Sequence, residues 1–237
     1  MYDLFKRKLS VQVWDVLRYF KFRFLKRGRF ALNNLDKKLE KYLFHSGGFF
    51  VELGANDGYT QSNTLFLEKK RGWRGVLVEP SPYLFSKLCY FRGCSKNHLF
   101  CCACAPFGYS EKYVDIDYAG LMSISSSLDL DLKDKKRHLK SQRKNLLEMN
   151  VKFGALAKPL SLLLDESQAP REIDLLSLDV EGAELDVLKG IDFNKYSFKY
   201  MLIECRDLER LEAYLSENGY SLVDQLTHHD YLFSKRC

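Results

Sequence analysis

No uninterrupted apolar run in this 237-residue chain approaches the roughly 20 residues that cross a bilayer, so no transmembrane anchor is expected. The opening stretch, MYDLFKRKLSVQVWDVLRYFKFRF, carries charges throughout and has no apolar segment followed by small residues, so it does not read as a secretory signal. Cysteines number seven, an odd count, and do not make the two C-x-x-C pairs of a structural zinc site. Neither a disulfide framework nor a zinc site is expected, and reduced thiols suit a cytoplasmic protein. Cys101, Cys102 and Cys104 fall in the apolar stretch HLFCCACA, where cysteine behaves as a small buried hydrophobe. Spacing supports no Ser-His-Asp or Cys-His nucleophile: His45, His98 and His138 are isolated, and His228 and His229 sit together in a turn. Internal repeats and low-complexity tracts are also missing.

The net charge of +6 is unevenly placed, with residues 1–30 contributing +7 and the remainder −1. That weakens a nucleic-acid reading of the body, which has no basic excess to follow a phosphate backbone. Over residues 11–25, Val13, Trp14, Leu17, Phe20 and Phe24 recur at helical spacing among Arg and Lys. Such a basic, aromatic helix suits peripheral contact with the inner face of a membrane, while the plainer alternative is a helix packed on its own domain. Residues 1–48 are read as a basic helical extension, with a second helix over 34–43 capped by Asn33 or Asn34, and 49–237 as the main domain.

That domain alternates in type. Strands are expected over 49–53, 75–78, 99–105, 174–180 and 200–205, helices over 64–70, 183–188 and 208–217, and a terminal hairpin over 220–225 and 231–234. The pattern predicts an α/β fold with a mostly parallel sheet, a C-terminal antiparallel hairpin and helices on both faces. Residues 129–150 hold seven Lys or Arg against four acids and read as a helical insertion or lid.

The strongest chemical signal is FFVELGANDG, residues 49–58, an apolar strand running into a glycine turn and then a helix, which turns backbone N–H groups and a helix N-terminus toward a ligand. Gly54 and Gly58 do not make G-x-G-x-x-G, which argues against a dinucleotide pyrophosphate. A nucleoside carrying an amino-acid tail suits the turn better. Glu79 ends the next strand in VLVEP, where an acid accepts the ribose hydroxyls of a nucleoside. Asp179 ends a central strand in LDVEGAE beside the crevice where open α/β sheets bind ligands, and an unpartnered buried carboxylate there would be costly. Glu181 and Glu184 follow it, although an acid such as Glu184 in a first helical turn can simply cap the helix. Glu204 ends the strand MLIEC; if its strand neighbours that of Asp179, the tips lie about 4.8 Å apart, and the two carboxylates are candidate Mg²⁺ ligands. Asp179 or Glu181 acting as general base is the alternative.

Together VELGANDG, GWRGVLVEPSP, IDLLSLDVEGAELDVLKG and LIEC, in that order over about two-thirds of the chain, resemble the successive motifs of the FkbM-type methyltransferases. The resemblance implies a Rossmann-like class I methyltransferase fold with S-adenosylmethionine as donor. It places Glu52, Gly54, Ala55, Asn56, Asp57 and Gly58 around the methionine part, Glu79 with Pro80 and Ser81 at the ribose, and Ala103 and Cys104 along the adenine. Asp179, Glu181 and Glu184 are then the candidate catalytic residues. A hydroxyl of a saccharide or related natural product is the implied acceptor. Two other readings stay open: a non-catalytic adaptor of the trafficking type on the same fold, and a nucleic-acid methyltransferase whose basic face would come from residues 1–30 and 129–150.

Overall fold

The computed structural model describes residues 30–93, 96–119, 122–125 and 151–236. The amphipathic helix expected over 11–25 and the charged insertion 129–150 lie outside them. Strands follow in the order β1 (Phe49–Leu53), β2 (Arg74–Val78), β3 (His98–Phe100), β4 (Ala103–Cys104), β5 (Tyr113–Ala119), β6 (Met122–Ser125), β7 (Val151–Lys158), β8 (Glu172–Leu178), β9 (Ser197–Glu204), β10 (Tyr220–Gln225) and β11 (Asp230–Lys235). The α-helices are α1 (Leu35–Leu39), α2 (Leu65–Arg71), α3 (Pro82–Arg92), α4 (Leu160–Glu166), α5 (Glu184–Leu188) and α6 (Leu208–Glu217). Among the described residues no helix is long and apolar enough to cross a membrane.

Seven strands form the main sheet in the order β10-β11-β9-β8-β1-β2-β3. Only β11 runs against its neighbours, antiparallel to both β9 and β10, and every other pairing is parallel. Both faces are covered, so the central strands are apolar along their length, and all five residues of β1 are buried. Alternate side chains then divide between two cores. Val51, Val76, Leu176, Met201 and Ile203 point to one face, with α4, α5 and α6 packed over them. Phe50, Leu77, Leu175, Leu202 and Leu232 point to the other, under Leu35 and Leu39 of α1, Phe66 and Leu67 of α2 and Leu88 of α3. Residues 30–43, read from sequence as part of the extension, therefore contribute to the domain core.

Three expectations need correction. The helix expected over 34–43 is a single turn, because Asn33 and Asn34 both take left-handed φ, at 52° and 56°, and Asn34 makes no side-chain cap bond. The strand expected over 99–105 is two strands: β3 ends the main sheet and β4 belongs to a second sheet, ordered β4-β7-β5-β6. That second sheet went unforeseen: YVDIDYA in β5 is rich in the β-branched and aromatic residues of strands, whereas VKFGALAK in β7 holds only Val151 and Phe153 of that kind.

One buried cation ties the second core to the loop above β1. Arg92, at the end of α3, has a fully buried side chain, and its Nε donates to Glu68 of α2 at 2.6 Å. Its Nη atoms donate to the Gly58 carbonyl at 3.1 Å, to Ser62 Oγ at 3.3 Å and to Thr64 Oγ1 at 3.2 Å, with Glu52 of β1 3.8 Å away. Removing one partner of a buried ion pair strands the other charge at a cost of about 3–5 kcal/mol. Arg92→Met is therefore expected to lower the free energy of unfolding by that amount, read from urea denaturation followed by circular dichroism; a loss below about 1 kcal/mol, as for an exposed pair, would refute the role.

Candidate active site

The tips of β1, β2 and β8 are laced together by backbone. Gly54 and Ala55 donate to the Val78 carbonyl at 3.1 and 3.0 Å, and Asp179 N–H donates to the Leu53 carbonyl at 3.2 Å. Gly54 takes φ +76°, and a Cβ there would stand 1.9 Å from the Asp179 carbonyl oxygen, so only glycine permits the closure. The following loop is held by side chains. Asn56 takes φ 52°. Asp57 accepts from Tyr59 N–H at 2.9 Å, Thr60 N–H at 2.6 Å and Thr60 Oγ1 at 2.8 Å. Gly58, at φ +76°, lies where a Cβ would press Leu88 and Arg92. The helix expected over 64–70 is α2, which begins at Leu65, and these bonds with the left-handed residues Asn56, Gly58 and Gln61 hold the segment before it as a loop. Glu52 braces that loop, accepting from Ser62 Oγ, Asn63 N–H at 3.0 Å and Thr64 Oγ1 at 2.6 Å.

Strand order reverses at β1, where β2 and β8 leave in opposite directions, and ligands of open α/β sheets bind at such a point beyond the strand C-termini. A cavity of about 390 Å³ opens there, within the range of small-molecule sites. Its apolar wall combines Pro80 and Leu84 with Ala103 and Cys104 of β4 and Val114 and Ile116 of β5, so the second sheet forms one side. Leu32 and Leu35 close another. A polar end is made by residues 60–63, and an acidic end by Asp179, Glu181, Glu204 and Asp230.

Glu79 is buried, and each of its oxygens accepts one backbone N–H: Oε1 from Ser81 and Oε2 from Asn56, both at 2.9 Å. Burial still pushes its pKa up to about 7, against those bonds and with help from the Asp57 charge. At the acidic end, β8 and β9 are parallel neighbours with Leu178 opposite Ile203, so Asp179 and Glu204 meet side by side as the sequence spacing suggested. Each carboxyl therefore bears on the other's protonation. Burial, then the Glu204 charge, drives Asp179 well above the usual carboxylate range. Burial also raises Glu204, with Asp230 adding to it. Glu181, at left-handed φ 53°, is raised to about 7 by burial and by Glu204, while Arg206, 3.7 Å away, opposes the shift.

Of the sequence candidates, Glu52, Gly54, Ala55, Asn56, Glu79, Pro80, Ala103, Cys104, Asp179, Glu181 and Glu204 line the cavity. Asp57, Gly58 and Ser81 shape it from behind; Ser81 caps α3 by accepting from Leu84 N–H. Glu184 is buried and accepts from Gly182 N–H at 2.7 Å, in keeping with the capping alternative. Cys102 and Cys104 are buried as expected, but Cys101 is exposed at the end of β3. His228 and His229 are exposed at the hairpin tip, away from the cavity lining. Among the described residues no group of three or more His, Cys, Asp or Glu is arranged to hold a metal ion. Sequence reasoning missed Asp230, Asn63 and Ser177. Asp230 opposes Glu204 across β11 and β9; its one signal was an acid opening the last apolar strand, in HHDYLF.

An open α/β sheet of this order, with a glycine turn, a strand-end acid and a cavity at the switch point, is a nucleoside-binding enzyme framework. Residues 52–222 match the family model described as the Methyltransferase FkbM domain, and the chain belongs to that family. It is also 27% identical over 164 residues to Methyltransferase 1 of Beauveria bassiana (strain ARSEF 2860), a match covering 67% of this chain and 64% of that protein, a little under two-thirds of the relative's length. Among solved structures, a putative RNA methyltransferase from Pyrococcus horikoshii aligns at TM-score 0.41 and 14% identity over 85% of this chain and 80% of its own. TrmK of M. capricolum, bound to S-adenosyl-homocysteine, aligns at TM-score 0.44 and 10% identity over 87% of this chain and 68% of its own.

The raised Glu79 pKa fixes a stability dependence. Its folded value, about 7, lies above the ordinary 4.5, so its contribution to stability is fully present below about pH 4.5 and is lost as pH rises through 7. Glu79→Gln does not titrate, so between pH 5 and 8 the variant should gain on the native protein by about 3 kcal/mol, at 1.36 kcal/mol per pH unit. Parallel pH dependences in thermal unfolding would contradict this.

Proposed function

We propose that this chain transfers a methyl group from S-adenosylmethionine to a hydroxyl oxygen of a saccharide or related natural product. One observation carries the reading: among the described residues the cavity is lined by six carboxylates, Glu52, Glu79, Asp179, Glu181, Glu204 and Asp230, and by no Lys, Arg or His. Such a lining favours a cationic ligand, and the donor bears a sulfonium and an ammonium. A pyrophosphate or a nucleic-acid backbone would meet like charge instead.

The residues present fit the donor. Each Glu79 oxygen retains lone-pair capacity beyond its one backbone bond, enough to accept ribose hydroxyls. Ala103, Cys104, Val114 and Ile116 offer an apolar slot for adenine, and the loop after β1 offers polar groups for the amino-acid tail. When bound, the donor supplies an already electrophilic methyl. The protein's share is alignment, exclusion of water and acceptance of the hydroxyl proton. Asp179 and Glu204 suit proton acceptance, because both line the cavity at neighbouring strand tips and burial raises them above their ordinary values, which strengthens each as a base. Glu181 lies beside them.

A second role for Asp179 and Glu204, as two ligands of Mg²⁺, rests on the same register of neighbouring strand tips. Chelation separates the two: full activity in excess chelator supports proton acceptance, and abolished activity restored by Mg²⁺ supports the metal. RNA as acceptor would take its basic face from residues 1–30 and 129–150, of which only Phe30 lies among the described residues, and it has no cation in the described cavity lining to support it. A non-catalytic adaptor role has no need of so complete a cavity. Peripheral membrane contact through residues 1–30 is a separate proposal, tested by liposome sedimentation with and without them.

Calorimetry with S-adenosylmethionine tests the donor assignment. Micromolar binding weakened roughly 10- to 100-fold in Glu79→Ala is expected, and no binding by the native protein would remove the reading. Asp179→Asn should keep donor affinity and lower turnover on a saccharide acceptor by about 10²-fold or more. Undiminished turnover would dismiss Asp179 as proton acceptor.

A further inference from the structure

Apolar side chains exposed one at a time need no explanation, whereas one that continues a cavity wall marks a surface for a ligand. Leu32 is 53% exposed, and among the described residues it is the only large exposed hydrophobic that lines the cavity. The chain holds it there from both sides. Upstream, Ala31 pairs with Gln61 of the loop after β1, the Phe30 ring meets Tyr59 edge-on at 5.8 Å, and Phe30 N–H donates to the buried Asp36 carboxylate at 2.9 Å. Downstream, Leu35 is buried in one core cluster with Leu226 and Leu232, and Lys38 Nζ donates to the Leu226 carbonyl at 2.6 Å. Asn33 and Asn34 make the turn between these two ties, in left-handed backbone that asparagine accepts more readily than most residues. The segment therefore runs along the cavity from the loop after β1 to the hairpin tip, beyond which Asp230 lines the acidic end.

We infer that Leu32 seats a hydrocarbon group of the acceptor, so that the protein selects a hydroxyl compound carrying an aliphatic part over a free sugar. The inference rests on the proposed methyl transfer to a hydroxyl and names the feature of the acceptor that sets its selection. The donor gives Leu32 no partner: under that proposal adenine has the apolar slot of Ala103, Cys104, Val114 and Ile116, and the amino-acid tail is charged. A free sugar would set hydroxyls against the leucine, where they lose water without gaining a hydrogen bond. An aliphatic group meets no such loss, and covering the exposed half of a leucine raises affinity about 4- to 10-fold. Glu204 and Asp230, at the acidic end, are left to accept from the hydroxylated part. Residues 30–38 also precede the stretch shared with the family, which begins at residue 52, so this wall is an addition to the matched domain.

The test measures binding of methyl and octyl glycosides of glucose, galactose and mannose to the full chain saturated with S-adenosylhomocysteine, by calorimetry, with the octyl compounds kept below micelle formation. For at least one sugar the octyl compound is expected to bind about 10-fold or more tighter than its methyl counterpart. Leu32→Gln should cut that preference about 4- to 10-fold, and Leu32→Met should keep it. Phe44→Gln controls for adsorption to any exposed apolar surface. Phe44 is 72% exposed, and its carbonyl accepts from Arg71 near the N-terminal ends of β1 and β2, away from the cavity, so its replacement should leave the preference at the native value. No octyl preference for any of the three sugars, no loss in Leu32→Gln, or an equal loss in Phe44→Gln would each overturn the inference. Melting temperatures check the fold of every variant, and should Leu32→Gln not fold, the milder Leu32→Ala has to show a smaller loss of the same kind. A protein that binds S-adenosylhomocysteine without these preferences fails this inference alone, whereas one that binds no S-adenosylhomocysteine fails the donor reading beneath it.

Discussion

A guanidinium with no access to water has to be satisfied by the protein, and around Arg92 that demand organises the ligand-binding end of the molecule. Its partners come from α2, from β1 and from the loop between them, so three segments are fixed relative to α3 by one side chain. Glu52 shares Ser62 and Thr64 with it, which makes the loop part of a closed polar network under an otherwise apolar face. Networks of this kind hold well when every member is paired and fail together when one is lost. Under the proposed function that network holds the loop that meets the donor, although Arg92 itself does not line the cavity.

Charge is segregated along and within the chain. The molecule as a whole is cationic, at +6, yet the cavity lining is entirely acidic among its ionisable groups. Three of its carboxyls stand in a row across adjacent strand ends, Asp179 after β8, Glu204 on β9 and Asp230 on β11; burial raises all three, and neighbouring acids add to the rise of Asp179 and Glu204. Their proximity is an electrostatic cost that the fold bears at its ligand-binding edge, where perturbed carboxyls are useful.

Much of this was legible in sequence, for reasons that differ by element. β1, β10 and α6 fall on their expected bounds because a strand buried on both faces is a plain apolar run and an amphipathic helix repeats clearly. Glu79 and Asp179 were legible because each ends such a run. Asp230 was not, since its place beside Glu204 is set by the pairing of β11 with β9, whose register no local pattern encodes. The second sheet was hidden for a similar reason: β7 pairs with β4 and β5 across long stretches of chain. The helix expected over 64–70 is present within a residue, and the chain between it and the glycine turn stays a loop by local chemistry, where Asp57 captures the Tyr59 and Thr60 backbone N–H groups.

In the main sheet only β11 opposes its neighbours, and it therefore delivers Asp230 to the cavity from its first residue, directly after the hairpin tip at residues 226–229. Under the proposed function the donor meets the loops after β1 and β2, on the opposite half of the sheet, and Asp230 stands on the acceptor's side. Donor and acceptor would then be met by separable stretches of chain, so that change at the start of β11 would alter the substrate while the methyl source is inherited unaltered.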